Sequence, residues 1–129
     1  MLFRSLDLAT LMQMNMQNGT YGGTRFYQDP TVPFFSKAHF PRNRRGLGWD
    51  KPVRGGEGPT SKLASSSTFG HTGFTGTCAW ADPENELVFV FLSNRTYPNS
   101  DDNRLTTENI RPRMHDIIYR AMLDSVVLN

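Results

Sequence analysis

The sequence predicts an α+β fold: an antiparallel meander of about three strands, flanked by one helix before it and one after. Three observations predict it. Leu8, Leu11, Met12 and Met16 recur at helical spacing near the start. A strand-turn-strand pattern fills residues 69–93, hinged on Asp82-Pro83-Glu84-Asn85. A second helical stripe, Ile110, Met114, Ile117, Ile118, Ala121 and Met122, closes the chain.

The elements follow in order. Ser5 suits an N-cap and Asp7 the first turn, where an acid meets the positive end of the helix dipole. Gly19 stands where a C-terminal cap belongs, so the first helix runs from about Leu6 to about Asn18. Tyr21-Gly22-Gly23-Thr24 reads as a turn leading to a short extended piece at 25–27. Residues 29–68, carrying Pro30, Pro33, Pro41, Pro52, Pro59 and the pair Gly55-Gly56, read as a long irregular surface loop. Within it only Gly46–Asp50 suits a short strand, and order is expected to be poorest around Val53–Ser61. The pattern then sharpens into strands at 69–73, 76–81 and 86–93. The last contains the unbroken run Leu87-Val88-Phe89-Val90-Phe91-Leu92, which predicts burial on both faces and a central place in its sheet. Thr106 or Thr107 would cap the final helix, with Pro112 in its first turn.

The chain has 129 residues, 37% hydrophobic and 20% charged, with a formal charge of +2, which describes one ordinary globular domain and excludes a disordered chain. No apolar run reaches the roughly 20 residues that span a bilayer. Met1-Leu2-Phe3-Arg4 is too short for a secretory leader. The single Cys78 excludes an internal disulfide. Arg42, Arg44, Arg45, Lys51 and Arg54 cluster in the Pro- and Gly-rich loop, where a nucleic-acid surface would want one organised basic face with aromatics among it; the cluster reads as a solvated loop and not as a phosphate-binding site. Asn18-Gly19-Thr20 and Asn94-Arg95-Thr96 match a glycosylation acceptor by letters alone.

The segment Phe69-Gly70-His71-Thr72-Gly73-Phe74-Thr75-Gly76-Thr77 carries the chemistry. Gly73 and Gly76 lack a Cβ, so this backbone can approach another molecule closely. It resembles the third motif of the serine β-lactamase and penicillin-binding-protein superfamily, Lys-Thr-Gly in most members and His-x-Gly in several branches. Other segments agree in order: Leu6–Met14 with a late helix, Asn18–Gly23 with the turn after it, and Ala81–Glu84 and Val90–Arg95 with the strands that follow. The resemblance covers most of the chain outside the middle loop and is closest to the class C and esterase-like branch. It implies that residues 1–129 are a single partial domain, the C-terminal portion of a β-lactamase/transpeptidase-like fold.

The resemblance also implies roles. His71 supplies a positive or hydrogen-bonding group and Thr72 a hydroxyl, while the Phe74 backbone N–H is an oxyanion donor. Gly73, Thr75 and Gly76 line the substrate, and Asn94 and Arg95 sit at its rim. Histidine in place of lysine favours an ester- or amide-hydrolysing branch over β-lactam binding, because imidazole is only partly charged near neutral pH. No cofactor is implied. The partner would be a small-molecule or peptide-like carbonyl substrate. Relatives of this kind are mostly exported, and no leader is readable here, so the compartment stays unknown.

The family's nucleophile motif, Ser-x-x-Lys, is missing: Phe34, Gly48 and Pro59 stand three residues before Lys37, Lys51 and Lys62. Tyr97-Pro98-Asn99 matches a Tyr-x-Asn motif by letters but follows the last strand, so it reads as the start of a loop. Without an activated nucleophile there is no covalent step. The chain therefore reads as the C-terminal part of a serine hydrolase, inactive alone. The alternative is a non-catalytic binding or assembly domain that keeps the groove.

Other chemistries are weaker. Cys78 lies in an apolar stretch beside Trp80 and reads as buried and inert, not as a thiol paired with His71. His39, His71, His115 and Cys78 match no metal-ligand spacing, and the acids Asp82, Glu84, Asp101 and Asp102 belong to turns. In the family, a strand from the N-terminal region pairs with the far side of the strand matching 86–93. Its absence here leaves an apolar edge, and the expectation is a homo-oligomer, a two-fold dimer pairing 86–93 across the axis.

Overall fold

The computed structural model describes residues 4–55, 57–101 and 103–127; Met1-Leu2-Phe3, Gly56 of the glycine pair and Asp102 of the turn acids lie outside these. Helix α1 spans Ser5–Met16. Its cap is Arg4, one residue earlier than expected: the Arg4 N–H donates to Asp7 Oδ2 at 2.9 Å, so Asp7 closes the first turn and Ser5 is already helical. The helix stops two residues short of Asn18, whose φ of 52° begins a left-handed exit completed by Gly19.

A two-residue loop follows. Strands β1 (Thr20–Tyr21) and β2 (Thr24–Arg25) pair antiparallel around Gly22 and Gly23, with φ of 56° and 78°. Positive φ at both central positions is the turn whose twist matches a tight hairpin, and only glycine adopts it freely.

The middle segment is less irregular than its prolines suggest. Thr31–Ser36 forms a helix, α2, with Pro33 in the first turn, where a missing N–H costs nothing. The strand expected at 46–50 is absent; Asp50 alone forms a bridge, exchanging backbone hydrogen bonds with Gly70 at 2.7 and 3.1 Å.

The main sheet comprises β3 (Phe69–Thr72), β4 (Cys78–Asp82) and β5 (Leu87–Phe91), antiparallel in the order β3-β4-β5. This corrects the expected centre. The central strand is β4, buried at every position, whereas β5 lies at the edge with Phe89 its one fully buried residue. Alternation along β4 builds two cores. Ala79 and Ala81 join Phe69 and Met12 under α1, with Leu8, Met16, Val88 and Val90 packed around them. Cys78 and Trp80 join Phe89 on the opposite face, against Ile118. At Gly70 a Cβ would stand 2.6 Å from Trp80 Cε3 and closer still to the Ala79 carbonyl, so only glycine lets β3 cross that indole.

After β5 come a short helix, α3 (Arg104–Thr107), and the long α4 (Ile110–Val127). Thr106 and Thr107 lie within α3 and do not cap α4. Pro112 is the third residue of α4, inside its first turn. The buried face of α4 also differs from the expected stripe: Met114 and Ile117 are exposed, while His115 and Tyr119 are buried. Polar contacts explain this. His115 stacks on Phe89 at 4.4 Å, and the Tyr119 hydroxyl donates to Asp82 Oδ2 at 2.5 Å. In α1, likewise, Leu11 is exposed and Met14 is buried.

Candidate active site

The β3–β4 connection, residues 73–77, is held from three sides. Internally, the Gly73 N–H donates to Thr77 O at 2.7 Å and the Gly76 N–H to Gly73 O at 3.0 Å, with Gly76 at a φ of 94° that a side chain would strain. From beyond β5, the Arg95 N–H donates to Thr75 O at 2.9 Å and its Nε to Phe74 O at 2.8 Å, and its guanidinium covers the Phe74 ring. From α4, Arg111 Nη1 donates to Gly76 O at 3.2 Å. Two carbonyls of the loop tip and that of Gly76 are thereby fixed. The Phe74 N–H and the Thr72 hydroxyl have no partner among the described residues.

His71 is exposed on β3, next to Gly70, whose outer side carries the Asp50 bridge. Its Nε2 lies 2.8 Å from Arg45 Nη1, and its Nδ1 lies 2.7 Å from the Thr72 carbonyl. A guanidinium can only donate, so Nε2 accepts and the ring proton sits on Nδ1, donated to Thr72. His71 is then a neutral, oriented imidazole, and the positive charge at this edge is that of Arg45. Arg45 also lies 3.9 Å from the buried Asp50 carboxylate, which Arg44 clasps at 2.8 and 2.9 Å.

The structure thus brings His71, Thr72, Gly73, Phe74, Thr75 and Gly76 to one end of the sheet with Arg95. Asn94 is adjacent, its Oδ1 taking the Thr96 hydroxyl at 2.7 Å, and lines a cleft of about 470 Å³ with Tyr97 and Asn99. Tyr97-Pro98-Asn99 lies in the loop between β5 and α3, with Tyr97 exposed. Sequence reasoning missed Arg45 and Arg111. The basic cluster that contains Arg45 was visible; its proximity to His71, set by the Asp50–Gly70 bridge, was not.

Cys78 pairs with Thr72 and His71 with Ala79, so their side chains leave opposite faces of the sheet. Burial pushes the Cys78 thiol up to about 11, which keeps it protonated and unreactive. A second polar cluster lies behind the sheet. Asp82, fully buried, accepts from Ser65 Oγ at 2.5 Å, Ser65 N–H at 2.9 Å, Tyr119 and Asn85 Nδ2 at 2.8 Å. Burial alone would raise its pKa, but these hydrogen bonds hold the carboxyl well below the usual range. Nearby, the Ser61 hydroxyl donates to Asp116 while its N–H meets His115 Nδ1 at 3.3 Å. This Ser-His-Asp grouping is not a triad, because the serine hydroxyl bypasses the histidine; it fastens the loop to α4. Among the described residues no cluster of His, Cys, Asp or Glu could hold a metal ion, and no helix is long and apolar enough to cross a membrane.

A family model described as Beta-lactamase matches residues 5–111. A protein of Salmonella enteritidis PT4 assigned as a D-alanyl-D-alanine carboxypeptidase is 41% identical over 93 residues, 70% of this chain and 21% of that protein. One of the same description from Salmonella newport is 39% identical over 92 residues, with the same two shares. The chain therefore spans about a fifth of the length of the curated relatives it matches. A crystal structure of a beta-lactamase from Mycobacterium bovis superposes with a TM-score of 0.71 at 20% identity, over 91% of this chain and 43% of that one, a likeness of fold. With the family model running from α1 into α4, the chain belongs to the Beta-lactamase family, and its α+β architecture is part of that fold.

Proposed function

We propose that this chain supplies the motif-strand side of an acyl-transfer site in a β-lactamase-like serine hydrolase acting on an ester, amide or β-lactam carbonyl. The observations that carry the reading are the Phe74 N–H and Thr72 hydroxyl, unpartnered among the described residues, and the pairing of Arg45 with His71, which shares β3 with Thr72. In this reading the Phe74 N–H receives the developing oxyanion, in a loop already braced by Arg95 and Arg111 so that little reorganises during reaction. Thr72 and Arg45 meet the anionic end of the substrate, and His71 positions Arg45. Gly73, Thr75 and Gly76 give the substrate a slim strand to lie along, with Asn94 and Arg95 at its rim. The carboxypeptidase description of the relatives makes a peptide ending in D-alanyl-D-alanine the first substrate to try.

No Ser-x-x-Lys occurs in the 129 residues, so the attacking serine comes from outside them and the chain alone forms no acyl adduct. The reading includes a two-fold dimer through β5. Its support is the edge position of Leu87-Val88-Phe89-Val90-Phe91, whose outer side pairs with no strand among the described residues.

The test is incubation of the chain with a fluorescent fluorophosphonate or penicillin, read by intact mass. No adduct is expected. A stable adduct mapped to a serine of this chain would overturn the division of labour. A peptide ending in D-alanyl-D-alanine, added to labelled protein, should shift the amide resonances of His71–Gly76; shifts confined elsewhere would overturn the groove.

A further inference from the structure

A second concavity, of about 740 Å³, lies away from the motif loop, between the 38–44 segment, residues 51–55 and residues 62–66. Its volume falls in the range of small-ligand sites. Five cations line it: Arg42, Arg44, Lys51, Arg54 and Lys62. Among the described residues, no acidic or aromatic one is part of its lining. Asp50 neutralises Arg44 from behind, and Lys51 Nζ donates to the Ser67 carbonyl at 2.9 Å. Arg42, Arg54 and Lys62 form no ion pair among the described residues.

We propose that this cleft binds a soluble ligand through a phosphate group carrying two or more charges. Like charges gathered in a hollow repel each other and focus a positive potential outward, which an anion relieves. A single carboxylate would engage one guanidinium fork and leave the others unmatched; a pyrophosphate-like group has oxygens for all three free cations. Its lining offers a nucleobase no aromatic ring to stack on, and its cations are matched by the phosphate, so recognition rests on the phosphate. Burial works against the charge on Lys51, which Asp82 and Glu84 oppose, and a bound anion adds to their side. The walls are firm: Ser65 is tied to Asp82 through both its N–H and its hydroxyl. The proposal is independent of the acyl-transfer reading, because Arg45 turns away to His71 and is not part of this lining.

The experiment is calorimetric titration of the chain with inorganic pyrophosphate, alongside glutarate as a dicarboxylate and phosphatidic acid vesicles by co-sedimentation. Pyrophosphate should bind in preference to glutarate, more weakly as salt rises. The Arg42→Ser/Arg54→Ser variant, altered only at exposed positions, should lose roughly tenfold or more in affinity. Arg120→Ser, on exposed α4 surface, should lose none. Pyrophosphate should also protect Lys62 from acetylation while leaving Lys37 reactive, read by peptide mass on the unaltered protein. Absence of pyrophosphate binding, equal glutarate binding, equal loss in Arg120→Ser, or binding to vesicles alone would each overturn it.

Discussion

Arg45 Nη1 stands 2.8 Å from His71 Nε2, across 26 residues of sequence. The contact makes His71 an acceptor and places the site's charge on a loop arginine instead of on the strand.

The tautomer is directly measurable. In nitrogen-15 spectra taken near pH 9, His71 should carry its proton on Nδ1. Arg45→Gln should shift the population toward the Nε2 proton, since the amide can accept as well as donate. A wild-type ring protonated mainly on Nε2 would refute the geometry.

His115 makes the fold sensitive to mild acid. Burial pushes its pKa down to about 4, only partly offset by Asp82 and Asp116. The unfolded chain binds the proton at the ordinary 6.5, so this stability is complete above that value and lost as pH falls toward 4. About 2 kcal/mol should be gone by pH of roughly 5. Asp82 keeps its charge throughout, being held below the carboxylate range. Urea midpoints across this window should fall steeply for the wild type and less for His115→Gln; parallel curves would show the loss arises elsewhere.

How much of this was legible in the sequence depends on which force placed each residue. The turn at Asp82-Pro83-Glu84-Asn85 and the strands beside it were readable, because the Asp82 carboxylate closes that turn locally by accepting from the Glu84 N–H at 3.1 Å. The centre of the sheet was misread. The apolar run of β5 suggested burial on both faces, yet the middle position belongs to Cys78–Asp82, where alanines admit α1 closely and Trp80 fills the other side. The face of α4 was misread for a similar reason: His115 and Tyr119 go inward to meet Phe89, Ser61 and Asp82, distant partners in the sequence that no periodicity reveals. The strand of the candidate site stood out by its glycines; Arg45 was visible only as one of several loop cations.

The misplaced edge gives the remaining prediction. Sedimentation of the chain should show a concentration-dependent dimer, and amide exchange at Leu87–Phe91 should slow as it forms. A monomer at high concentration with rapid exchange along that strand would rule out pairing through β5.

The two cores share one strand, and that has a consequence for how the molecule comes together. Every side chain of β4 serves one helix or the other in strict alternation. A shift of one residue in its pairing would present Trp80 to the methionines of α1 and offer alanines to Phe89 and Ile118. One layer would be overfilled and the other hollow at the same moment. Neither helix can settle on a misaligned ribbon, so the alignment of β4 acts as a common gate through which both sides must pass together.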